Sequence, residues 1–374
     1  MKIIVVGAGI YGLSTAVQLS LRGHEVEVID KGLIPNSHSS SFDFHRLIRH
    51  AYGPQQGYAS LIPPAFEAWD RMWSLLGESF YIETGALVLG KKNDPWMTNS
   101  RSSLQSLNVP FEDWNTSQLR SRLPWLRVFP NEEALFCIPG GIIRSGLVVT
   151  ALAKYLEQHG VRLHENIDIV KIDESTASLT DRDGNIFSAD RIVTALGAGH
   201  DVLYSSEVTS FRQVYALYPN PPKVASIEGG CPMILDIAED AGFYFVPGST
   251  HFPAKVGDHI TRFKGSPYAG RKIAPEEIEN LQSVINSRVL TEDADSAGPL
   301  SKTKALPKYG LCYYACSKDR TIQLASKGKS IRIFGGSGHG FKFGALFGEM
   351  VAQCVTGERS LSSAQNIVQG KALP

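Results

Sequence analysis

Hydrophobic and polar positions follow two periods along this chain, and the switches between them mark its elements. Lys2–Val6 is an almost unbroken β-branched run, the pattern of a strand buried on both faces. Beyond a glycine turn, Leu13, Ala16, Val17 and Leu19 recur at helical spacing until Gly23, and residues 26–29 return to strand texture ahead of Asp30. A helix is expected over 63–76, with Phe66, Trp69, Trp73 and Leu76 on one face and Gly77 behind it. Residues 80–89 read as strands turning at Gly85, whereas 91–134 mix prolines and tryptophans without a clear period. A third helix is expected over 147–159, closed by Gly160 and followed by a strand. A hairpin at Asp181-Arg182-Asp183-Gly184 leads to an apolar strand from Arg191 that ends in Gly197-Ala198-Gly199. The half-apolar stretches 208–218 and 242–246 suit an antiparallel sheet. A helix over 275–289 carries proline in its first turn and turns Ile278, Leu281 and Ile285 inward. The strand 331–334 again ends in glycines, Gly335-Gly336, ahead of an Ala/Leu-rich helix over 344–356.

Strand–glycine–helix thus occurs at both ends of the chain. The expected fold class is α/β. It comprises a discontinuous Rossmann-like domain over 1–85, 140–207 and 310–374, and a substrate domain of mainly antiparallel sheet and helices over 86–139 and 208–309.

The first turn carries candidate chemistry. Gly7-Ala8-Gly9-Ile10-Tyr11-Gly12 stands between strand and helix, with Asp30 about twenty residues further on, in a βαβ unit. Glycines there let backbone N–H groups approach a pyrophosphate, the helix dipole favours its charge, and the acid can bond a ribose hydroxyl. The motif by itself allows NAD, NADP or FAD.

Composition narrows the setting. The 374 residues carry 37 basic and 37 acidic side chains, which gives no footprint for nucleic acid or an anionic membrane surface. Cys137, Cys231, Cys312, Cys316 and Cys354 are scattered with no CxxC pair, so neither a disulfide framework nor a metal site is expected. The opening apolar run leads straight into the glycine turn, so it reads as structural rather than as a signal peptide, and no stretch nears the ~20 apolar residues of a membrane span. A cytoplasmic protein is the expectation.

Three further stretches are informative together: Arg46-Leu47-Ile48-Arg49-His50-Ala51-Tyr52-Gly53, Cys312-Tyr313-Tyr314, and Ser337-Gly338-His339-Gly340-Phe341-Lys342-Phe343. In this order, over essentially the whole chain, the sequence resembles the monomeric sarcosine oxidase and N-methyltryptophan oxidase family, within the glycine-oxidase/D-amino-acid-oxidase-like flavoenzymes. The resemblance implies FAD, bound covalently through Cys312, with Cys316 as the nearby competitor. It places Gly7, Gly9, Ile10, Gly12, Asp30, Lys31, Ile169, Gly197, Gly338, His339 and Gly340 around the cofactor, and Arg46 beside its ring. It implies that Lys255 activates oxygen, that Arg49 and Lys342 hold a substrate carboxylate, and that Tyr244 and His259 line the substrate cavity. One departure stands out. Where the family often reads Gly-Asp-Thr before the first arginine, this chain has Asp43-Phe44-His45, so His45 replaces a threonine near the flavin.

The expected activity is oxidation of the C–N bond of a secondary or cyclic amino acid to an imine, with O2 reduced to H2O2 by a monomeric enzyme. Alternatives are an Amadori-compound (fructosyl amino acid) or cyclic imino acid oxidase of the same family, or a flavin dehydrogenase with another electron acceptor.

Overall fold

The computed structural model describes residues 1–205, 207–237, 242–290 and 307–372. Lys2–Val6 lies at the centre of a six-stranded sheet, parallel to Glu25–Ile29 on one side and Arg191–Thr194 on the other. Ile3, Ile4 and Val5 have no exposed surface, as a strand covered on both faces requires. Arg162–His164 and Ser330–Phe334 extend the sheet in parallel, and Gln323–Lys327 closes one edge antiparallel. The strand expected near 191 therefore lies beside the first, and the one near 331 lies beside that strand in the same sheet.

Two helices cover one face of this sheet and pack directly against each other, Ile10–Leu21 and Gly344–Thr356. Their approach depends on glycine. A Cβ added at Gly344 would stand 2.2 Å from Ile10 Cγ1, and one at Gly348 would stand 2.5 Å from Ser14 Cβ. The helix Ile62–Leu76 packs on the second of them and stacks Trp69 on Trp73 with 4.7 Å between ring centroids. Trp69 Nε1 donates to Lys342 O at 2.7 Å, which ties this helix to the turn ahead of Gly344.

The second layer is a nine-stranded, largely antiparallel sheet. Thr209–Tyr218 pairs with Lys308–Cys316 along one edge and with Ala254–Asp258 along the other. Phe243–Val246, Met233–Asp236, Ala86–Lys91, Glu132–Cys137 and Phe111–Trp114 follow in that order. The helix Pro275–Arg288 packs on it through Leu281, Val284 and Ile285. Buried Arg288 joins this helix to the sheet, bonding Glu132 at 2.7 and 2.9 Å and Asp236 at 2.6 Å. The strand that carries Cys312 belongs to this antiparallel sheet, so Cys312 faces the parallel one across a seam.

A three-stranded sheet of Arg46–Ile48, Gly141–Ile143 and Tyr81–Glu83 carries Arg46 and leads directly into Arg49. The aperiodic stretch 91–134 is more regular than its pattern suggested. It holds a helix at Pro95–Ser106, capped by Asp94 accepting from Trp96 N at 2.7 Å, and another at Thr116–Arg122 with an Asn115/Gln118 capping box. Their capping residues are sequence signals, but their mostly polar surfaces blur the helical period.

Candidate active site

The glycine turn is as tight as its sequence implies. Gly7 has φ of +102°, and a Cβ there would lie 2.4 Å from Ala195 O; one at Gly12 would lie 1.8 Å from Gly7 O. Asp30 stitches the turn from below, Oδ2 accepting from Ala8 N at 2.8 Å and Oδ1 from Gly32 N and Asn36 Nδ2 at 2.8 and 2.9 Å. Ser41 Oγ accepts from Ile10 N at 2.9 Å at the start of the first helix.

From this turn opens a cavity of about 440 Å3. Gly7, Gly9, Ile10, Asp30, Lys31, Ile169 and Gly197 line it, and so do Arg46, Cys312, Gly338 and Gly340. Gly12 lies beneath the turn. Tyr268 covers part of the wall, with Lys31 Nζ 3.9 Å from its ring centroid. Arg271 ties the same segment down by donating to Leu311 O and His38 O.

Near Cys312 the side chains form one electrostatic unit. Arg46 Nη2 donates to Ser40 O at 2.7 Å and lies 3.6 Å from Cys312 Sγ. Arg46 Nη1 and Lys255 Nζ both reach Asp43 Oδ2. Burial would push the Asp43 carboxyl up, but the two cations hold it well below the usual carboxylate range. Lys255 Nζ also lies 4.0 Å from the Tyr215 ring centroid and 6.0 Å from that of Tyr244. Glycines make room for both rings, since a Cβ at Gly257 would strike Tyr244 and one at Gly310 would strike Tyr215. His45, 1 % exposed, approaches Pro253 O through Nε2 at 3.2 Å and sets its ring edge-on to Phe252. Burial and then Lys255 push its pKa down to about 4, so the ring is neutral.

Beyond the cavity lining, Arg49 and Lys342 share one aromatic ring. The Arg49 guanidinium carbon lies 4.4 Å from the Tyr52 ring centroid and Lys342 Nζ lies 5.5 Å from it. Lys342 Nζ donates to His339 O at 2.9 Å, and Arg49 Nη1 is buried without a hydrogen-bond partner among the described residues. Neither cation has an acid within ion-pair distance among those residues, and burial followed by Arg49 drives the Lys342 ammonium well below its ordinary value. His339 packs edge-on against Tyr58 and Tyr52, and burial and then Lys342 lower it to about 3. The Ser337–Phe343 turn joins the two regions, because Gly338 and Gly340 face the cavity while Lys342 faces Arg49. His259 stands apart from both, its Nε2 bonded to Asp236 O at 2.9 Å. Cys316 is buried and off the cavity lining.

Sequence reasoning assigned no role to Asp43, Tyr215 or Tyr52. Asp43 appeared only as a departure from a pattern, and its pairing with a lysine 212 residues away carries no local signal.

This arrangement, a glycine-turn nucleotide cradle leading to a cationic, aromatic-walled centre, belongs to a flavin-dependent oxidoreductase. Residues 2–354 match the family described as FAD dependent oxidoreductase (DAO), and the chain belongs to that family. It is 26% identical over 356 residues to an N-methyl-L-tryptophan oxidase of Yersinia pestis (strain Pestoides F), covering 94% of this chain and 93% of that one. Its fold is similar to fructosyl amine:oxygen oxidoreductase (Amadoriase I) of Aspergillus fumigatus, with TM-score 0.78, 18% identity and coverage of 99% and 89%. It is also similar to the Tyr258Phe mutant of NikD, described as an unusual amino acid oxidase, with TM-score 0.79, 18% identity and coverage of 96% and 94%. L-proline dehydrogenase from P. horikoshii matches with TM-score 0.77, 18% identity and coverage of 99% and 96%. FAD fits the residues present: the turn is drawn so tight that a Cβ at Gly7 or Gly12 would meet backbone, which leaves Gly7, Gly9 and Ile10 to line the cavity, and Asp30 stands at the end of the second strand.

Proposed function

We propose that this enzyme oxidises the C–N bond of an amino acid bearing a secondary or cyclic amine, giving an imine that water hydrolyses, with O2 reduced to H2O2. The observation that carries this reading is the pair Arg49 and Lys342, two cations over one tyrosine ring with no carboxylate partner among the described residues. Burying two such charges side by side is unfavourable unless an anion completes the site. An α-carboxylate suits them, because the guanidinium can bond it through two N–H groups and the ammonium adds a point charge.

FAD, when bound, supplies the two-electron acceptor. Gly7–Gly12 and Asp30 would hold its pyrophosphate and adenosine ribose, with Lys31, Ile169 and Gly197 beside them. Cys312 would carry it as a thioether. Tyr244 stands over Lys255, where it would face the substrate, whereas His259, expected to line the cavity, stands apart with its Nε2 bonded to Asp236 O. Arg46, Lys255, Arg49 and Lys342 together make the surroundings positive. They disfavour a substrate ammonium and so favour the neutral amine that can be oxidised. The Lys255 charge would stabilise the negative charge that develops as O2 takes up electrons. The reading takes the enzyme to be a cytoplasmic monomer, in keeping with its five free thiols; no helix among the described residues is long and apolar enough to cross a membrane.

The test is a panel of sarcosine, N-methyl-L-tryptophan, L-pipecolate, L-proline and a fructosyl amino acid, read by peroxide release and, in parallel, by reduction of an artificial dye. Peroxide from at least one N-substituted or cyclic amino acid, with its carboxamide analogue far poorer, is expected. Turnover of the amide at the same KM would sink the carboxylate reading, and dye reduction without peroxide would replace the oxidase by a dehydrogenase.

A further inference from the structure

The carboxylate of Asp43 is 2% exposed, and it is placed by several independent contacts. Its backbone oxygen accepts from Gly146 N at 2.7 Å and Ser145 Oγ at 3.0 Å, at the start of the helix Ser145–Gln158. Its Oδ1 accepts from Phe44 N at 2.7 Å, and this leaves Oδ2 for Lys255 and Arg46. Lys255 itself is 5% exposed at the side chain. The titratable and charged groups facing it are Tyr215 from the strand Thr209–Tyr218, Tyr244 from Phe243–Val246, Cys312 from Lys308–Cys316, and Asp43, His45 and Arg46 from the segment entering the small sheet. Among these, Asp43 is the one carboxylate.

We propose that Asp43 is a positioning residue that keeps the buried Lys255 ammonium charged and links it to Arg46 beside the cofactor cavity. The physical reason is a balance of burial and charge. An ammonium taken out of water and placed near a guanidinium sheds its proton readily, and a fixed carboxylate in contact opposes that loss. Burial is the larger influence on Lys255, Asp43 works against it, and Arg46 adds to it. Arginine cannot yield its proton, so without Asp43 the lysine is the cation that gives way. The charge near the cofactor would then come from Arg46 alone. An asparagine keeps the size and one hydrogen-bond acceptor but supplies no charge. The inference rests on the reading of the cavity as an FAD site, but not on O2 as the acceptor.

The experiment measures the midpoint potential of the bound flavin in the holoenzyme, in Lys255→Met, Asp43→Asn and Asp43→Glu, at about pH 6 and about pH 8. A cation beside the flavin favours the reduced form. The wild type should therefore exceed Lys255→Met by a similar margin at both pH values, about tenfold in the reduction equilibrium or ~30 mV for a two-electron couple. Asp43→Asn should keep the margin at the lower pH and lose it at the higher one, with Asp43→Glu restoring it. A margin that survives at the higher pH in Asp43→Asn overturns the proposal. Should Asp43→Asn fail to fold, 15N resonances of the lysine side chains in the unaltered holoenzyme decide. Lys255 is expected to carry its proton at neutral pH, and a neutral amine at pH 7 overturns the proposal. Flavin reoxidation by O2 in Lys255→Met, unchanged from wild type, would count against the oxidase reading and leave the role of Asp43 standing.

Discussion

Replacing Lys342 by methionine should separate function from stability. Arg49 and Lys342 lie 4.4 and 5.5 Å from one ring centroid, so their charges are at most about 10 Å apart. At an effective dielectric constant of about 20, the repulsion at that limit is about 1.7 kcal/mol, and it grows as they approach. Lys342 also loses hydration on burial, against which stands one hydrogen bond to His339 O, a contribution of about 1 kcal/mol. Methionine removes the repulsion and the burial penalty and, one atom shorter, keeps most of the unbranched side chain. The free enzyme should gain about 1 kcal/mol, a rise in Tm on the order of 2 °C. Carboxylate binding should lose about 2–5 kcal/mol, which raises KM roughly 30- to several thousandfold. The stability gain also has a pH signature. The folded-state pKa of Lys342 is depressed below the ordinary 10.5, so the unfolded chain binds more protons between the two values. Wild-type stability therefore rises with pH across that window, and the variant should lose this slope. Urea unfolding across alkaline pH, with KM and the affinity of propionate as a simple carboxylate, makes the comparison. A lower Tm with unchanged propionate affinity would instead make Lys342 a structural lysine.

Three other outcomes follow from particular contacts. Gly12→Ala places a Cβ 1.8 Å from Gly7 O, so the purified protein should lack most of its flavin absorbance; full occupancy would mean that the turn shifts at little cost. Cys312→Ala should leave flavin in the supernatant after acid precipitation, whereas the wild type should keep its colour in the pellet; colour released from both proteins would rule out the thioether. Arg288→Met leaves Glu132 and Asp236, both buried, without this guanidinium and should cost about 3–5 kcal/mol in chemical unfolding. A loss under about 1 kcal/mol would show that the two carboxylates are held without this guanidinium.

Much of the fold was legible because it is encoded locally. The run 2–6, the spacing of Leu13 to Leu19 and the glycines between them specify a buried strand, a helix and a tight turn without reference to the rest of the chain. The helix expected over 344–356 appears with those bounds, and the one over 63–76 begins one residue earlier. The helices within 91–134 were not legible, because their polar surfaces mask the period and only the caps Asp94 and Asn115 signal them.

Residue pattern alone places a nucleotide-binding turn at the start of the chain, strand–glycine–helix units at both ends, and cationic and aromatic residues in a few short stretches. Residue type and spacing carry that information, since they set backbone conformation and which face of an element is apolar. Which of those residues meet is settled by packing. Asp43 reaches Lys255 because Arg46–Ile48 and Ala254–Asp258, strands of different sheets, bring their ends together. Arg49 meets Lys342 because Trp69 and the helix beneath it hold the Ser337–Phe343 turn against Tyr52. Charge interactions between such distant positions depend on separation and burial, and both are properties of the packed molecule.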